Sequence, residues 1–370
     1  MDRRAFLKTS AALPAAALAS RPLAALAANQ PWSDGIAWRT FEVTARIELL
    51  KPAGTSRAWL PLPLAEDTDY FRGLGSAWTG NAGVIRLVRQ PDYDTAMLFA
   101  EWTQAVDTPY VEVMSRFMTR DRAVDLRAAR GNAGRGAQMS KAELAQHLAP
   151  TELIPTDGIV RATALKATRG ARGDLARARA IYEWMVENTF RDPKTRGCGW
   201  GDIKAMLETG HLGGKCGDLS ALYVGLCRSI GIPARDVYGI RVADSQWGYK
   251  SLGKSGDISG AQHCRAEFHL AGHGWIPVDP ADVRKVVLEE PPGKLPLSCE
   301  KVRLAHEKLF GAWEMNWLPY NYAHDVKLPG SQGEKIPYLM YPNGETASGR
   351  KDSLDPNDFY YEINSRELSA

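Results

Sequence analysis

The residues best placed to do chemistry surround one cysteine. Glycines flank Cys216 in the segment Gly-Gly-Lys-Cys-Gly-Asp at 213–218. A helix is predicted over residues 217–230, because apolar residues recur there at helical spacing and a Gly-x-Pro stop follows. Unpaired N–H groups and the positive end of the dipole lie at such a helix start, and they stabilise a thiolate. Cys216 is therefore a candidate nucleophile, and Asp218 in the first turn is expected to cap the helix.

A thiolate nucleophile needs a base and a group that orients the base. His263 begins a predicted strand over 263–270, and residues 274–279 are predicted to return beside it after a Gly-containing turn. Such a hairpin would bring the Asp279 carboxylate next to His263, where it fixes the ring and supports an imidazolium. The sequence thus predicts a triad with Cys216 as nucleophile, His263 as base and Asp279 as the orienting group.

The other cysteines admit several interpretations. Cys227 is predicted to lie on the apolar face of the helix, and Cys264 is predicted to be buried and to point away from the catalytic face of its strand. Cys198 stands in a Gly-rich segment before the nucleophile, where it could line the cleft or form a disulfide with Cys216. A zinc site is disfavoured, because there is no C-x-x-C and the two histidines of that strand would lie roughly 20 Å apart. No metal and no other cofactor are predicted.

These motifs resemble the transglutaminase-like superfamily of cysteine enzymes, in particular its bacterial exported members. The matching segments are Gly-Lys-Cys-Gly-Asp at 214–218, Arg-Ser-Ile-Gly-Ile-Pro-Ala-Arg at 228–235, His263 with Glu267, and Gly-Trp-Ile-Pro-Val-Asp-Pro at 274–280. The resemblance covers residues 175–285 and implies a papain-like catalytic core with the same three triad residues. The family usually has His-Ala-Trp-x-Glu at the histidine strand, so Cys264 and Arg265 depart from its pattern beside the site.

Blocks of strand-like and helical pattern predict an α+β fold. Short strands over 36–125, separated by Gly, Pro and Asp turns, predict an N-terminal β-sandwich, and residues 126–157 predict a linker. The family resemblance implies a papain-like catalytic domain over 158–300, with the nucleophile helix packed on an antiparallel sheet. Residues 301–370 predict a C-terminal β-extension. Its aromatic run at 313–322 is interpreted as a hydrophobic anchor or, alternatively, as a stacking platform for a sugar or peptide.

Charge and the first residues of the chain indicate where the protein works. Of 370 residues, 44% are hydrophobic and 24% are charged, which is typical of a globular protein. Residues 1–27 account for the formal net charge of +3, so no nucleic-acid-binding surface is predicted. Arg3 and Arg4, an Ala/Leu-rich stretch and Ala-Leu-Ala at 25–27 resemble a twin-arginine signal peptide over residues 1–28. We therefore expect export by the twin-arginine machinery to the periplasm or beyond, with no membrane contact after cleavage.

The predicted activity is cleavage of amide bonds in a protein or peptide substrate, through a thioester on Cys216. Water as acceptor gives a peptidase or amidase, whereas a lysine amine gives a cross-linking transglutaminase. Hydrolysis is favoured, because an acyl-enzyme in the periplasm meets water at high concentration. A non-catalytic envelope scaffold or binding module is the alternative from another class. The presence of all three triad residues in matching motifs argues against it.

Overall fold

The computed structural model of the protein describes residues 37–90, 93–127 and 139–368. The predicted signal peptide lies outside the described residues, as does part of the predicted linker. The helices are α1 (Lys141–Gln146), α2 (Gly158–Ala167), α3 (Asp174–Asn188), α4 (Ile203–Thr209), α5 (Cys216–Ser229), α6 (Pro280–Glu289) and α7 (Glu300–Lys308). In the part of the chain that the structure describes, no helix is both long enough and apolar enough to cross a membrane.

The strands make the fold mixed α/β, with antiparallel pairing in nearly every sheet. They are β1 (Arg39–Leu49), β2 (Ser56–Pro61), β3 (Phe71–Gly80), β4 (Val84–Gln90), β5 (Thr95–Trp102), β6 (Tyr110–Thr119), β7 (Arg122–Ala123), β8 (Phe190–Arg191), β9 (Gly213–Gly214), β10 (Ala234–Arg241), β11 (Gly256–Asp257), β12 (Gln262–Leu270), β13 (Gly274–Val278), β14 (Ala312–Trp313), β15 (Trp317–Asn321), β16 (Asn343–Thr346), β17 (Gly349–Arg350) and β18 (Phe359–Leu368). The short pair β8 and β9 is parallel.

Two five-stranded sheets contain most of the N-terminal strands. Their strand orders are β11-β18-β1-β6-β3 and β17-β16-β2-β5-β4. Side chains of both sheets, such as Phe41 and Phe117 from one and Leu60 and Leu98 from the other, lie in one buried apolar cluster. Alternation of buried and half-buried residues along β1 follows from this arrangement, because successive side chains of a strand point to opposite faces.

Strands from the C-terminal part of the chain complete these two sheets. β18 pairs with β1 along its whole length, and β16 pairs with β2. The aromatic run at 313–322 lies in the interior, since Trp313 and Trp317 are fully buried, which agrees with the hydrophobic-anchor interpretation. The domain boundaries drawn from the sequence stay predictions, and the short helix α1 lies within the stretch predicted to be a linker.

The helix α5 is the structural centre of the remaining part of the chain. Every residue of α5 is buried, and it packs against β12 and β10 on one side and against helices α2, α3, α4 and α6 on the other. The sheet behind it has the strand order β13-β12-β10-β15. A completely enclosed helix has no freedom to shift, so its first residue, Cys216, is held in a fixed position relative to β12.

Candidate active site

The start of α5 is held by the carboxylate of Asp218. One oxygen of this side chain, Oδ2, accepts the N–H of Lys215 at 3.1 Å, and the other, Oδ1, accepts the N–H of Gly201 at 3.0 Å. The expected capping role of Asp218 is therefore observed, and the second bond adds a function that the sequence did not indicate. Asp218 ties the glycine-rich loop 197–201 to the first turn of the helix, which places Cys198 beside Cys216.

The glycines around Cys216 make room for this contact. Gly199 has φ of +92°, and a Cβ there would lie 1.9 Å from Asp218 Oδ2. A Cβ on Gly217 would lie 2.6 Å from the carbonyl oxygen of Cys198, to which the Gly217 N–H donates at 2.7 Å. Close packing of the loop on the helix start therefore requires these glycines, because no larger residue fits.

Replacing Gly199 by alanine is expected to destabilise the protein by about 3 kcal/mol or more, because the residue is both sterically blocked and left-handed. Gly170 is a matched control, since its φ is +84° and nothing lies within 4 Å of a Cβ there. Gly170→Ala should lower the free energy of unfolding only by the cost of placing alanine in a left-handed backbone conformation, about 1–2 kcal/mol. Urea unfolding of both variants measures the difference, and equal losses would contradict the packing role of Gly199.

The hairpin of β12 and β13 brings His263 and Asp279 together. Its register pairs Ala266 with Val278, so Asp279 follows directly and lies diagonally across from His263. The two side chains approach to 2.8 Å between His263 Nε2 and Asp279 Oδ2. His263 is 4% exposed and Asp279 is fully buried, so water competes little for this bond. With Nε2 directed at the carboxylate, Nδ1 is the ring nitrogen available to a thiol.

Asp279 also begins the helix α6, which fixes its side chain. Its second oxygen, Oδ1, accepts the N–H of Asp282 at 2.9 Å, and Pro280 occupies the first helical position, where the missing N–H is not needed. The sequence Asp-Pro after a strand is a helix-start signal of this kind. One carboxylate therefore anchors a helix with one oxygen and orients the imidazole with the other.

Three charged residues that the sequence reasoning did not select surround this pair. Asp282 lies 3.4 Å from His263 Nε2 through Oδ1, and the same oxygen accepts a hydrogen bond from Arg241 at 2.5 Å. The guanidinium of Arg265 lies 3.5 Å from Asp279 Oδ2. Arg265 is buried over the ring of Trp317, which is 4.7 Å from its guanidinium carbon. Arg265 stands where the family pattern usually has tryptophan, and it adds a second buried cation, after Arg241, next to the carboxylate of Asp279.

The carboxylates favour the charged form of His263. Burial and the nearby Arg241 disfavour an imidazolium, but Asp282 and Asp279 outweigh them and raise the pKa of His263 to about 9. Burial, together with Asp282, raises the pKa of Asp279, whereas Arg241 and His263 hold the pKa of Asp282 well below its usual range despite burial. His263 is therefore an imidazolium at neutral pH, and Asp282 is the carboxylate that stays ionised most readily.

Three thiols meet at the helix start. Hydrogen bonds from Cys198 and Cys264, opposed by burial and assisted by His263, hold the pKa of Cys216 well below its usual range. The Cys198 thiol also lies 3.4 Å from the carbonyl oxygen of Gln262. The thiols of Cys198 and Cys264 have strongly raised pKa values, Cys198 chiefly through its bond to Cys216 and Cys264 chiefly through burial. Cys216 is thus the thiol of the group whose ionised form is favoured most.

The sequence predictions agree with the structure for Cys227 but only in part for Cys264. Cys227 is fully buried on α5, where burial raises its pKa to about 12. Cys264 is buried as predicted, but its thiol is directed at Cys216 instead of away from the site. That part of the expectation was wrong, because α5 packs directly on β12 at this residue, where Ser220 Oγ donates to the carbonyl oxygen of Cys264 at 3.4 Å. Cys198 and Cys216 are both free thiols.

One group of side chains has the spacing of a metal site. Ligand atoms of His263, Asp279 and Asp282 lie within 4.8 Å of one another. Two guanidiniums, those of Arg241 and Arg265, already face these carboxylates. Because the positive charges there balance the carboxylates without a cation, we interpret the group as a charge network that positions His263. None of the cysteines belongs to it.

A cleft of about 540 Å³ opens at Cys216 and His263. Basic side chains dominate its charged lining, and Asp257 is the one acid among the lining residues that the structure describes. The basic residues are Arg191, Lys215, Arg241, Lys254 and Lys285. The backbone N–H of Cys216 belongs to the first residue of α5, so it has no acceptor within that helix. The arrangement can therefore bring an electron-poor carbonyl to a thiolate. An acid that can protonate the leaving group lies beside it, and an N–H can donate a hydrogen bond to the developing oxyanion.

Comparison with known proteins identifies the family of this chain. The sequence profile of the transglutaminase-like superfamily matches residues 161–280, a range that contains Cys216, His263 and Asp279. An uncharacterized protein of Haemophilus influenzae is 35% identical over 343 residues, which cover 89% of this chain and 91% of that protein. The chain belongs to the transglutaminase-like superfamily.

Two solved structures are similar to this chain to different degrees. A candidate cysteine protease from Cytophaga hutchinsonii covers 90% of this chain and 92% of its own, with a TM-score of 0.56 and 13% identity. The periplasmic domain of TgpA from Pseudomonas aeruginosa covers 73% of this chain and 92% of its own, with a TM-score of 0.34 and 17% identity. The first of these two indicates a common overall fold.

Proposed function

We propose that the protein is an exported thiol hydrolase that cleaves amide bonds in a protein or peptide substrate. The observation that carries this proposal is the 2.8 Å contact between His263 and Asp279, beside the lowered pKa of the Cys216 thiol. A buried, positioned imidazolium next to a thiolate is the chemical equipment of a nucleophilic catalyst. Burial of Asp279 and the anchoring of α6 keep that pair in one geometry before any substrate arrives.

The reaction follows from the protonation states at neutral pH. The Cys216 thiolate attacks the amide carbonyl and forms the carbon–sulfur bond, while the carbonyl oxygen takes the electron pair and faces the Cys216 N–H. His263 then gives its Nδ1 proton to the amide nitrogen, the carbon–nitrogen bond breaks and the amine leaves. The neutral imidazole next takes a proton from water, and the resulting hydroxide displaces the thiolate from the thioester. The products are an amine and a carboxylic acid, and the ion pair is restored.

The charge of the cleft supports water over a lysine amine as acceptor. A lysine side chain approaches as an ammonium, and the basic lining of the cleft repels it. Water has no such barrier, and the polar lining admits it. Cross-linking is therefore the second candidate activity. The chemistry of the site permits it, because any amine that reaches the thioester unprotonated can attack the thioester carbonyl.

A profiling experiment on the mature protein tests the function. The protein, and a Cys216→Ala variant as control, are incubated with a peptide library with and without an excess of a primary amine. New carboxyl termini that require Cys216 support hydrolysis, and amine adducts that require Cys216 support transamidation. A thioester trapped at low pH should add the acyl mass to the Cys216 peptide. No Cys216-dependent product with any peptide would contradict the proposal of an enzyme.

The proposed export has its own test. Replacing both Arg3 and Arg4 by lysine keeps the positive charge but removes the guanidiniums that define the twin-arginine signal. The precursor should then accumulate in the cytoplasm uncleaved, whereas the unchanged chain is cleaved near Ala27 and recovered outside. Fractionation with mass measurement distinguishes these products, and normal export of the double variant would contradict the twin-arginine route.

A further inference from the structure

The cleft contains more positive charge than its neighbours neutralise. Arg191 and Lys285 share a single carboxylate, that of Glu289, to which Arg191 donates through Nε and from which Lys285 Nζ lies 3.7 Å. Lys215 forms no ion pair among the described residues. Arg241, in contrast, is balanced by Asp282 at 2.5 Å. Lys254 and Asp257 offset each other in charge, so Arg191, Lys285 and Lys215 face the single carboxylate of Glu289, and the cleft holds surplus positive charge beside the thiol.

The two cations that share Glu289 line the cleft of Cys216 from different elements. Arg191 ends β8 and pairs in register with Gly214, two residues before Cys216. Lys285 lies on α6 three residues after Asp282, on the helix face that carries the charge network of His263. Both side chains line the cleft, and both are mostly shielded from solvent, with exposed fractions of 14% for Arg191 and 19% for Lys285.

The environment of Lys285 shows that its charge is incompletely compensated. Burial, with a further contribution from Arg241, lowers the pKa of its ammonium to about 8. Glu289 and Asp282 act in the opposite direction but do not restore the usual value. An anion bound in the cleft would supply the missing negative charge, and it would do so in a partly desolvated place where charge–charge attraction is strong.

We propose that the cleft selects acyl donors that carry a carboxylate close to the scissile carbonyl, and that Arg191 and Lys285 bind this carboxylate. The inference rests on the proposed function, since it names the substrate class of the same site. A guanidinium and an ammonium that both bind one anion select its charge and restrict its position. Acidic peptides and amides of dicarboxylic acids fit this description, whereas lysine- or arginine-rich segments do not.

Two alkylating reagents test the proposal without knowledge of the substrate. Iodoacetate and iodoacetamide react with a thiolate by the same displacement of iodide, but only iodoacetate carries a carboxylate. Their rate ratio at Cys216, divided by the same ratio for glutathione at pH 6.5, measures how strongly the cleft attracts an anion. We expect a normalised ratio on the order of ten, falling as salt is raised.

The variants assign this attraction to particular residues. Each variant keeps His263, so the contribution of His263 to the ratio cancels when a variant is compared with the unchanged protein. Arg191→Gln and Lys285→Gln should each lower the normalised ratio by roughly threefold, and Lys285→Arg should retain it. Lys204→Gln is the matched control, because Lys204 is exposed on α4 and lies outside the cleft, and its ratio should equal that of the unchanged protein. Circular dichroism confirms that each variant is folded.

The outcomes separate this proposal from the proposed function. If Cys216 reacts rapidly with iodoacetamide but the normalised ratio is unchanged in both glutamine variants, carboxylate selection by Arg191 and Lys285 is wrong and the thiol enzyme stands. If Cys216 reacts with iodoacetamide no faster than glutathione does, the proposed function itself fails. A salt-independent ratio near one in the unchanged protein would also overturn carboxylate selection.

Discussion

Replacing Cys216 by alanine should abolish amide cleavage, with a loss of rate on the order of a millionfold, while the protein stays folded. The thiol supplies the electrons for the new bond to the carbonyl, so no acyl-enzyme can form without it. Alanine fits the first turn of α5 without strain, since it is the best helix former. The rate of release of a new amino terminus from a cleavable peptide, together with a thermal unfolding curve, measures both effects.

The other cysteines provide the controls for that experiment. Cys299 is half-buried before α7 and lies outside the cleft, so Cys299→Ala should keep full activity. Cys198→Ala removes a thiol that hydrogen-bonds to Cys216, and it should raise the pKa of the nucleophile and slow the reaction by about tenfold or less. Activity that survives in Cys216→Ala but vanishes in Cys198→Ala would show that Cys198, and not Cys216, is the nucleophile.

Replacing Asp279 by asparagine should slow the reaction about a thousandfold to ten-thousandfold. Asparagine caps a helix nearly as well as aspartate, so α6 should still begin at the same place. The amide cannot hold an imidazolium as the carboxylate does, and the pKa of His263 should fall from about 9 toward its usual value. Because activity requires the protonated ring, the alkaline limit of the pH profile should move to lower pH.

That displacement of the alkaline limit distinguishes orientation of His263 from a purely structural role. A matched control is Asp236→Asn, which changes another buried aspartate next to a histidine, His324, at 3.3 Å. Asp236 does not line the cleft, so its variant should keep both the rate, within a few-fold, and the pH limit. An Asp279→Asn variant with full activity, or with an unchanged alkaline limit, would remove Asp279 from the site.

The parts of the site that sequence could predict are those encoded by local spacing. A glycine-flanked cysteine before an apolar helical stripe, a histidine at the start of a strand and an Asp-Pro helix start are all short-range patterns. The hairpin follows from the same spacing, so the contact between His263 and Asp279 could be expected. Each of these features depends on residues within one or two neighbouring elements.

The residues that the sequence did not reveal depend on long-range packing. Arg241 reaches Asp282 only because β10 lies beside β12 in the sheet, and 41 residues separate the two side chains. Arg265 is held over Trp317 from β15, a strand predicted to belong to a C-terminal extension. The sequence around a single arginine in a strand does not indicate which carboxylate or ring the arginine will contact. The pairing of β18 with β1 could not be predicted from the sequence for the same reason, since nearly the whole described chain lies between the two strands.

The central claim is that Cys216 is a thiolate activated by His263, and competitive alkylation at pH 6 tests it most directly. Folded protein is treated with limiting iodoacetamide, and the modified peptides are quantified by mass. Cys216 should be labelled first and Cys227 and Cys264 slowly, because their raised pKa values keep them protonated. His263→Ala should reduce the rate at Cys216 toward that of an ordinary thiol. Labelling of Cys216 no faster than free cysteine, with no effect of His263→Ala, would contradict the account.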